Sequence, residues 1–348
     1  MKVIIEGAYQ ESIWLKKMLS GLTKELKKKR FSFEQTKSIE QIQSDDAVFA
    51  VGMSASWMEK LVIHCNWMGI VPVILSNQRC PSLSGRYHFV GPDYYRTMAA
   101  IRSGCQAAGK SRIALYGIPK MAGADASQME DFFQAVQDTG DIYMNSGNLE
   151  LCFRSFLPYI ERYEAVICMN GYAAVSLVKK LEAERPDALS DLLIISCEEI
   201  LLSARYSKRI SFVDMCMESY GSTAISILDI ASANDSRMAI RIAVEGNIIS
   251  VTQMEERDKP FLEETDEYLM FADPEEVCMA RIEQLLQAAD EVDNVIIELL
   301  KNNATYRQIA DDCYMTEGNV KYRVKKYLNI CKVDSKKELL DMLQEYLP

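Results

Sequence analysis

From Met1 to about Gln253, short apolar runs alternate with amphipathic helical stretches, and that alternation leaves few folds open. The predicted strands are Lys2–Glu6, Ala47–Val51, Val71–Leu75, His88–Val90, Arg112–Tyr116, Ala165–Met169, Leu192–Ser196 and Ser211–Val213. Each is aliphatic or β-branched and bounded by polar or turn residues. The predicted helices are Ser12–Lys29, Ser56–Met68, Tyr94–Ala108, Gln128–Thr139, Leu149–Arg162, Tyr172–Arg185 and Glu218–Ala231. A strand, a crossover helix and a second strand make a parallel pair, and the helices then cover both faces of the sheet. The expected fold class is therefore α/β. So many strands over this length suit two doubly wound parallel sheets better than one.

The pattern changes after Gln253. Met254–Asp273 is rich in Glu and Asp, contains Pro260 and has weak periodicity, so it is expected to be an acidic linker. Pro274 stands where a helix can begin, with Asp273 as its cap. The apolar positions from Val277 to Leu300 keep near-helical spacing, which fits one long helix or two joined near Asp290.

Further on, Asp293–Asn303 is amphipathic, and Thr305 caps a second short helix ending near Cys313. A turn through Tyr314-Met315 leads to Thr316, the cap of a third helix. On that helix Val320, Val324 and Leu328 recur every four residues and form a buried stripe. Lys321, Tyr322 and Lys325 fall on the opposite side, with Arg323 and Lys326 flanking. The whole chain has a formal net charge of -11, so it is no general polyanion binder and this basic face is a local feature. Two short helices joined by a tight turn, the second carrying exposed cations, is the arrangement that places a helix in the major groove. The expected partner is DNA.

Other chemistry finds little support. Only His64 and His88 are present, and with Cys65 and Cys80 they fit no zinc spacing, so no metal is expected. Gly52-Met53-Ser54-Ala55-Ser56 lacks the last glycine of a nucleophile elbow, and helix capping by a serine accounts for it. No Gly-rich phosphate loop or dinucleotide fingerprint occurs, so no cofactor is expected. The ten cysteines are scattered and read as reduced core thiols. Met1–Glu6 starts as a strand rather than a signal peptide, and no apolar stretch reaches the ~18 residues a membrane span needs. A cytoplasmic chain that is not an enzyme is the expectation.

Two resemblances follow from these blocks. Glu298-Leu299-Leu300, Ile309-Ala310, Thr316-Glu317-Gly318-Asn319-Val320-Lys321 and Val333-Asp334-Ser335-Lys336-Lys337-Glu338-Leu339 resemble the LuxR-type (GerE-like) helix-turn-helix in order and spacing. Asn319 stands for the family's usual Thr, Arg323 for its His and Asn303 for a common Gly. The resemblance implies base contacts from Lys321, Tyr322 and Lys325, with Asn319 and Arg323 on the same helix. It places Arg307, Lys326 and Lys336 near phosphates.

The second resemblance covers about 250 residues. Val90–Tyr95, Gly109–Gly117, Ala165–Gly171, Leu192–Ile200 and Ser211–Ala224 resemble successive blocks of the lactose-repressor (LacI-type) sensor domain. It implies a periplasmic-binding-protein type I fold spanning 1–253. Lobe one is expected at about 1–108 plus 216–238, lobe two at 109–215 plus 239–253. An acidic linker (254–273) and a helical DNA-binding domain (274–348) follow. Ligands of open α/β sheets bind at strand C-termini. The candidate cleft residues are therefore Tyr9, Gln10, Ser54, Asn77, Asp93, Asn170 and Glu198. Gln128 aligns with the family's cleft Arg, Gly171 with the Asp of Asn-Asp, and Met215 with a common Gln. The implied effector is a small polar molecule such as a carbohydrate. The expected function is a ligand-responsive transcription regulator, a homodimer on a two-half-site operator. The alternative is a cytoplasmic small-molecule binding protein whose helical tail docks a protein partner.

Overall fold

The computed structural model describes residues 1–10, 12–119, 134, 142–198, 200–233, 238–249 and 273–348. The helix predicted at Gln128–Thr139 and the linker up to residue 272 lie outside these residues, apart from Gln134.

The chain begins β1 (Lys2–Ile5), α1 (Ile13–Lys28), β2 (Glu34–Thr36), β3 (Val48–Val51), α2 (Ala55–Trp67), β4 (Val73–Leu75) and β5 (His88–Pro92). It continues α3 (Tyr94–Ala107), β6 (Ile113–Pro119), β7 (Ile142–Asn145), α4 (Leu149–Phe156), β8 (Ala165–Cys168), α5 (Gly171–Glu184) and α6 (Pro186–Asp191). Then come β9 (Leu193–Ser196), α7 (Leu201–Ala204), β10 (Ile210–Asp214), α8 (Ser219–Ala233), β11 (Arg241–Val244) and β12 (Asn247–Ile249). The last part is helical: α9 (Pro274–Ala288), α10 (Glu291–Lys301), α11 (Tyr306–Asp312), α12 (Glu317–Cys331) and α13 (Lys336–Tyr346).

Among the described residues the strands form two six-stranded sheets, ordered β11-β5-β4-β3-β1-β2 and β12-β10-β9-β8-β6-β7. All pairs are parallel except β12 against β10. Central strands such as Val48–Val51 and Ala165–Cys168 are buried at every position, because helices cover both faces. The two-lobed α/β class stands.

The chain passes between lobes elsewhere than the sequence suggests. Helix α3, predicted with lobe one, packs Tyr94, Met98, Ile101 and Cys105 into the core of the second sheet, against Ile113, Ile167, Ile195 and Val213. The first passage therefore lies at Pro92–Tyr94, not near residue 108. Residues 241–244, predicted with lobe two, pair instead with β5 in the first sheet. The last passage lies between Val244 and Asn247, where Gly246 lets the backbone run against the Asp214 carbonyl and the Met215 sulfur.

Lobe one is closed by a crossing of α1 and α8. A Cβ on Gly21 would overlap the Glu218 carbonyl, and one on Gly221 would overlap the backbone of Gly21 and Leu22. The two helices meet backbone to backbone there.

The helical region does not stand apart. Asp273 caps α9 by accepting the Glu275 N–H at 2.9 Å, and its other oxygen accepts the N–H of Leu149 at the start of α4. The helix breaks at Ala289, where ψ turns to 128°, and Asp290 opens α10 through a capping box with Asp293. Two helices, not one, occupy this stretch. Met279, Ile282, Leu285 and Leu286 of α9 join Ile296, Leu300, Val320, Val324 and Leu343 in a core continuous with Tyr172, Leu177, Ile200 and Leu202 of lobe two. Lobe two and the helical region thus share one hydrophobic core.

Candidate functional site

Between the lobes lies a pocket of about 20 Å³, room for about one water molecule. Ile13, Trp14 and Lys17 of α1 form its first-lobe wall. Cys197 and Glu198 after β9, with Val213, Asp214 and Met215, form the other, and Met217 closes it on the passage to α8. Position follows from topology: β9 and β10 end here, at the C-terminal edge of the second sheet. The Asp214 carboxylate accepts the Cys216 N–H at 2.9 Å, and Cys216 takes a left-handed backbone (φ 52°) that turns the chain toward lobe one. Tyr9 packs its ring 5.9 Å from that of Trp14 and so stands behind the pocket wall.

Of the cleft residues read from the sequence, Glu198 lines this pocket. Burial raises its carboxyl above the usual carboxylate range, and nearby Glu283 adds to the rise, whereas the Lys17 cation opposes it. Others do structural work. Asn170 caps α5 by accepting the Ala173 N–H at 2.8 Å, and Asp93 caps α3 by accepting the Arg96 N–H at 3.0 Å. The backbone N–H of Ser54 is taken by the buried carboxylate of Glu6 at 3.0 Å, which also accepts from Met53 at 2.7 Å. Asn77 offers its carbonyl to the Tyr94 hydroxyl at 2.5 Å, while its side-chain oxygen is buried with no partner among the described residues. Gln10 ends the single turn Gly7–Tyr9. Gln128 lies outside the described residues. Trp14, Lys17 and Asp214 escaped the sequence reading. Trp14 and Lys17 sit on a helix rather than on a strand end, and Asp214 falls just past the strand predicted at Ser211–Val213.

A second feature ties the pocket to the helical region. The loop after Glu198 leads into α7, whose first N–H groups, of Leu201 and Leu202, are accepted by the Glu283 carboxylate at 3.0 and 2.7 Å. Glu283 is 2% exposed and also accepts from Gln287 at 2.9 Å. Burial raises its carboxyl, and these donors and Lys17 oppose the rise. Around the seam Lys180 donates to Glu275 at 2.6 Å, Arg205 to Glu298 at 3.0 Å, and the Tyr206 hydroxyl to the Tyr346 carbonyl at 2.8 Å. The Lys179 ammonium lies 3.7 Å over the Tyr346 ring.

The third feature is α12 with its preceding helix and turn. Thr316 caps α12 by accepting the Asn319 N–H at 3.2 Å. Val320, Val324, Tyr327 and Cys331 are buried. Lys321, Lys325, Asn319 and Arg307 are exposed, and Tyr322 is 74% exposed. Lys321 lies 3.9 Å from Glu317 one turn back. Arg323 points away from that face: its guanidinium donates to Asp293 at 2.5 Å and Asp290 at 2.9 Å, and Asp293 also accepts the Tyr327 hydroxyl. That residue locks α12 to α10. Lys326 is half-buried, and Lys336 is drawn over the Tyr306 ring at 4.5 Å. The outward set narrows to Asn319, Lys321, Tyr322 and Lys325, with Arg307 on α11.

No family model matches the chain, and no curated protein matches it. Solved structures do. A glucose-galactose binding protein, GanP, from Geobacillus stearothermophilus is 15% identical with a TM-score of 0.55, over 73% of this chain and 98% of that one. A LacI family transcriptional regulator from Enterococcus faecium with bound ribose is 14% identical with a TM-score of 0.54, over 72% and 97%. The transcriptional regulator CelR in complex with cellobiose is 14% identical with a TM-score of 0.53, over 71% and 82%. These likenesses establish the fold: two parallel-sheet α/β lobes arranged as in these binding proteins and regulators. More than a quarter of this chain lies outside each match. No described helix is long and apolar enough to cross a membrane.

Proposed function

We propose that this chain is a ligand-responsive DNA-binding transcription regulator. A small polar effector, of the sugar class that the structural neighbours are described as binding, enters between the lobes. The helical region, a LuxR-type helix-turn-helix, places α12 in the major groove of DNA. Two copies of the chain on two half-sites form the working unit, in the cytoplasm. The observation that carries the reading is the Glu283 grip. One buried carboxylate of α9 holds the start of α7, a few residues after the pocket residue Glu198.

The pocket as it stands admits about one water, so a sugar-sized molecule requires the lobes to part. Lobe two and the helical region share a core, so they move together while lobe one moves against them. A ligand shifts that equilibrium only by its differential affinity for the two arrangements. In a dimer, the shift becomes a change in the spacing of two groove helices.

The test is selection from a random-sequence duplex pool at low salt with the full chain, repeated with ribose, glucose and cellobiose present. Enrichment of a paired motif, weakened steeply by salt, supports the reading. Sugar binding with no enriched duplex would instead favour a binding protein whose helical region docks a protein.

A further inference from the structure

The turn that joins α11 to α12 carries an unusual residue. Met315 N–H donates to the Ala310 carbonyl at 2.9 Å and Tyr314 N–H to the Asp311 carbonyl at 3.4 Å. This is the double hydrogen bond of a Schellman turn, with Tyr314 in its left-handed position at φ 53°. Glycine suits that position because it has no Cβ to crowd the following carbonyl, and Asn is the usual substitute. The corresponding positions after α1, α10 and α12 hold Arg30, Asn303 and Lys332, all polar. Tyr314 alone among them is aromatic, and it is 98% exposed.

Nothing among the described residues accounts for a tyrosine there. The side chain buries almost no area, and its phenol has no hydrogen-bond partner among the described residues. A side chain that carries backbone strain and gives nothing to packing points to contact with something outside the chain. Its place says what. Two residues on, Thr316 caps α12, which leaves Tyr314 within about 7.6 Å of chain from the start of the groove helix. The first turn of that helix presents unpaired N–H groups and a partial positive charge, which draw a phosphate. Tyrosine hydroxyls are among the groups that fix a protein's register on duplex DNA through the backbone.

We propose that the Tyr314 phenol donates a hydrogen bond to a backbone phosphate of duplex DNA flanking the groove entered by α12. This rests on the reading of α12 as the groove helix. Tyr314 then fixes orientation, and sequence selection stays with Lys321, Tyr322 and Lys325.

The test compares the full-length chain with Tyr314→Phe, Tyr314→Gly and Lys321→Ala, on duplexes selected by the unaltered chain from a random-sequence pool. Both Tyr314 variants are expected to lose about tenfold in affinity through the lost hydrogen bond to a charged oxygen. The selected sequence and the salt slope stay unchanged, because no charge is removed. Tyr314→Gly is expected to melt no lower than the unaltered chain, because the strain is relieved; this separates lost contact from lost fold. Loss in Tyr314→Gly without loss in Tyr314→Phe overturns the hydrogen bond. Full affinity in both variants beside a weakened Lys321→Ala overturns the proposal and leaves DNA binding standing. Failure of the unaltered chain to enrich any duplex ends both.

Discussion

A carboxyl buried beside another carboxyl needs a proton or a donor, and Glu276 shows the effect at single-residue scale. It is 5% exposed, lies on the first turn of α9, and accepts from the Asn145 amide at 3.3 Å. Burial, with the Asp273 charge next, pushes its carboxyl up to about 7 from 4.5. The folded chain therefore holds a proton that the unfolded chain releases from about pH 4.5. That contribution is fully present below 4.5 and is lost as pH rises through 7, about 3 kcal/mol in all. Urea unfolding of the chain and of Glu276→Gln at pH 5 and pH 8 checks this. The unaltered chain is expected to lose stability across that range relative to the variant, whose amide keeps the Asn145 contact without titrating. The same scale shows where sequence reading stops. Asn170 and Asp93 stand at strand ends, where ligand groups belong, yet their oxygens are spent on helix N–H groups. A cap and a ligand contact call for the same residue types at the same place, so spacing alone cannot separate them. Arg323 reads as one more cation on a basic helix, and only the fold brings Asp290 and Asp293 to it.

At the scale of elements, the long central strands and helices were legible because each carries enough apolar positions to show a period. The strands that sequence reading passed over are short and sit at or near sheet edges. Glu34–Thr36 is polar throughout, and Ile142–Asn145 buries alternate positions only. Arg241–Val244, read as part of lobe two, has no buried residue. The α1–α8 crossing gives a sharper expectation. Gly221→Ala forces a methyl into the backbone of α1, a clash no side-chain rotation relieves. It is expected to lower stability by about 3 kcal/mol or more in denaturant unfolding, with loss of soluble expression as the coarse readout. The α10–α12 lock leads to another. Arg323→Ala leaves the buried Asp293 carboxylate with the Tyr327 hydroxyl but no cation. Thermal melting is expected to fall, while the duplex sequence selected from a random pool stays the same. An altered selected sequence would place Arg323 in the groove instead.

On the scale of the whole molecule, the helical region is a continuation of lobe two rather than a tethered attachment. The sequence suggests the reverse, because an acidic stretch rich in Glu and Asp reads as a linker and carries no sign of where the chain lands. The landing is set by Asp273, Glu276 and Glu283, three carboxyls that are buried in the fold. The isolated fragment 274–348 would lose the lobe-two half of the shared core and the partners of Glu276 and Glu283. It is expected to aggregate or to unfold at lower denaturant than the full chain, measured by light scattering and urea titration. A fragment as soluble and as stable as the whole would show that the shared core contributes little. Glu283→Ala is the matching change in the full chain. It strands the Leu201 and Leu202 N–H groups, at about 1–3 kcal/mol each.

The seat of α9 also bears on how such a chain arises. A fusion made by joining two genes at the acidic stretch would deliver a helical unit whose Glu283, Leu286 and Tyr346 had nothing to rest on. Lobe two supplies Leu201, Leu202, Tyr206 and Lys179 to receive them. Any such joining therefore requires the two surfaces to match. Chimaeras that trade the helical unit for another are expected to fold only when these receiving residues travel with it.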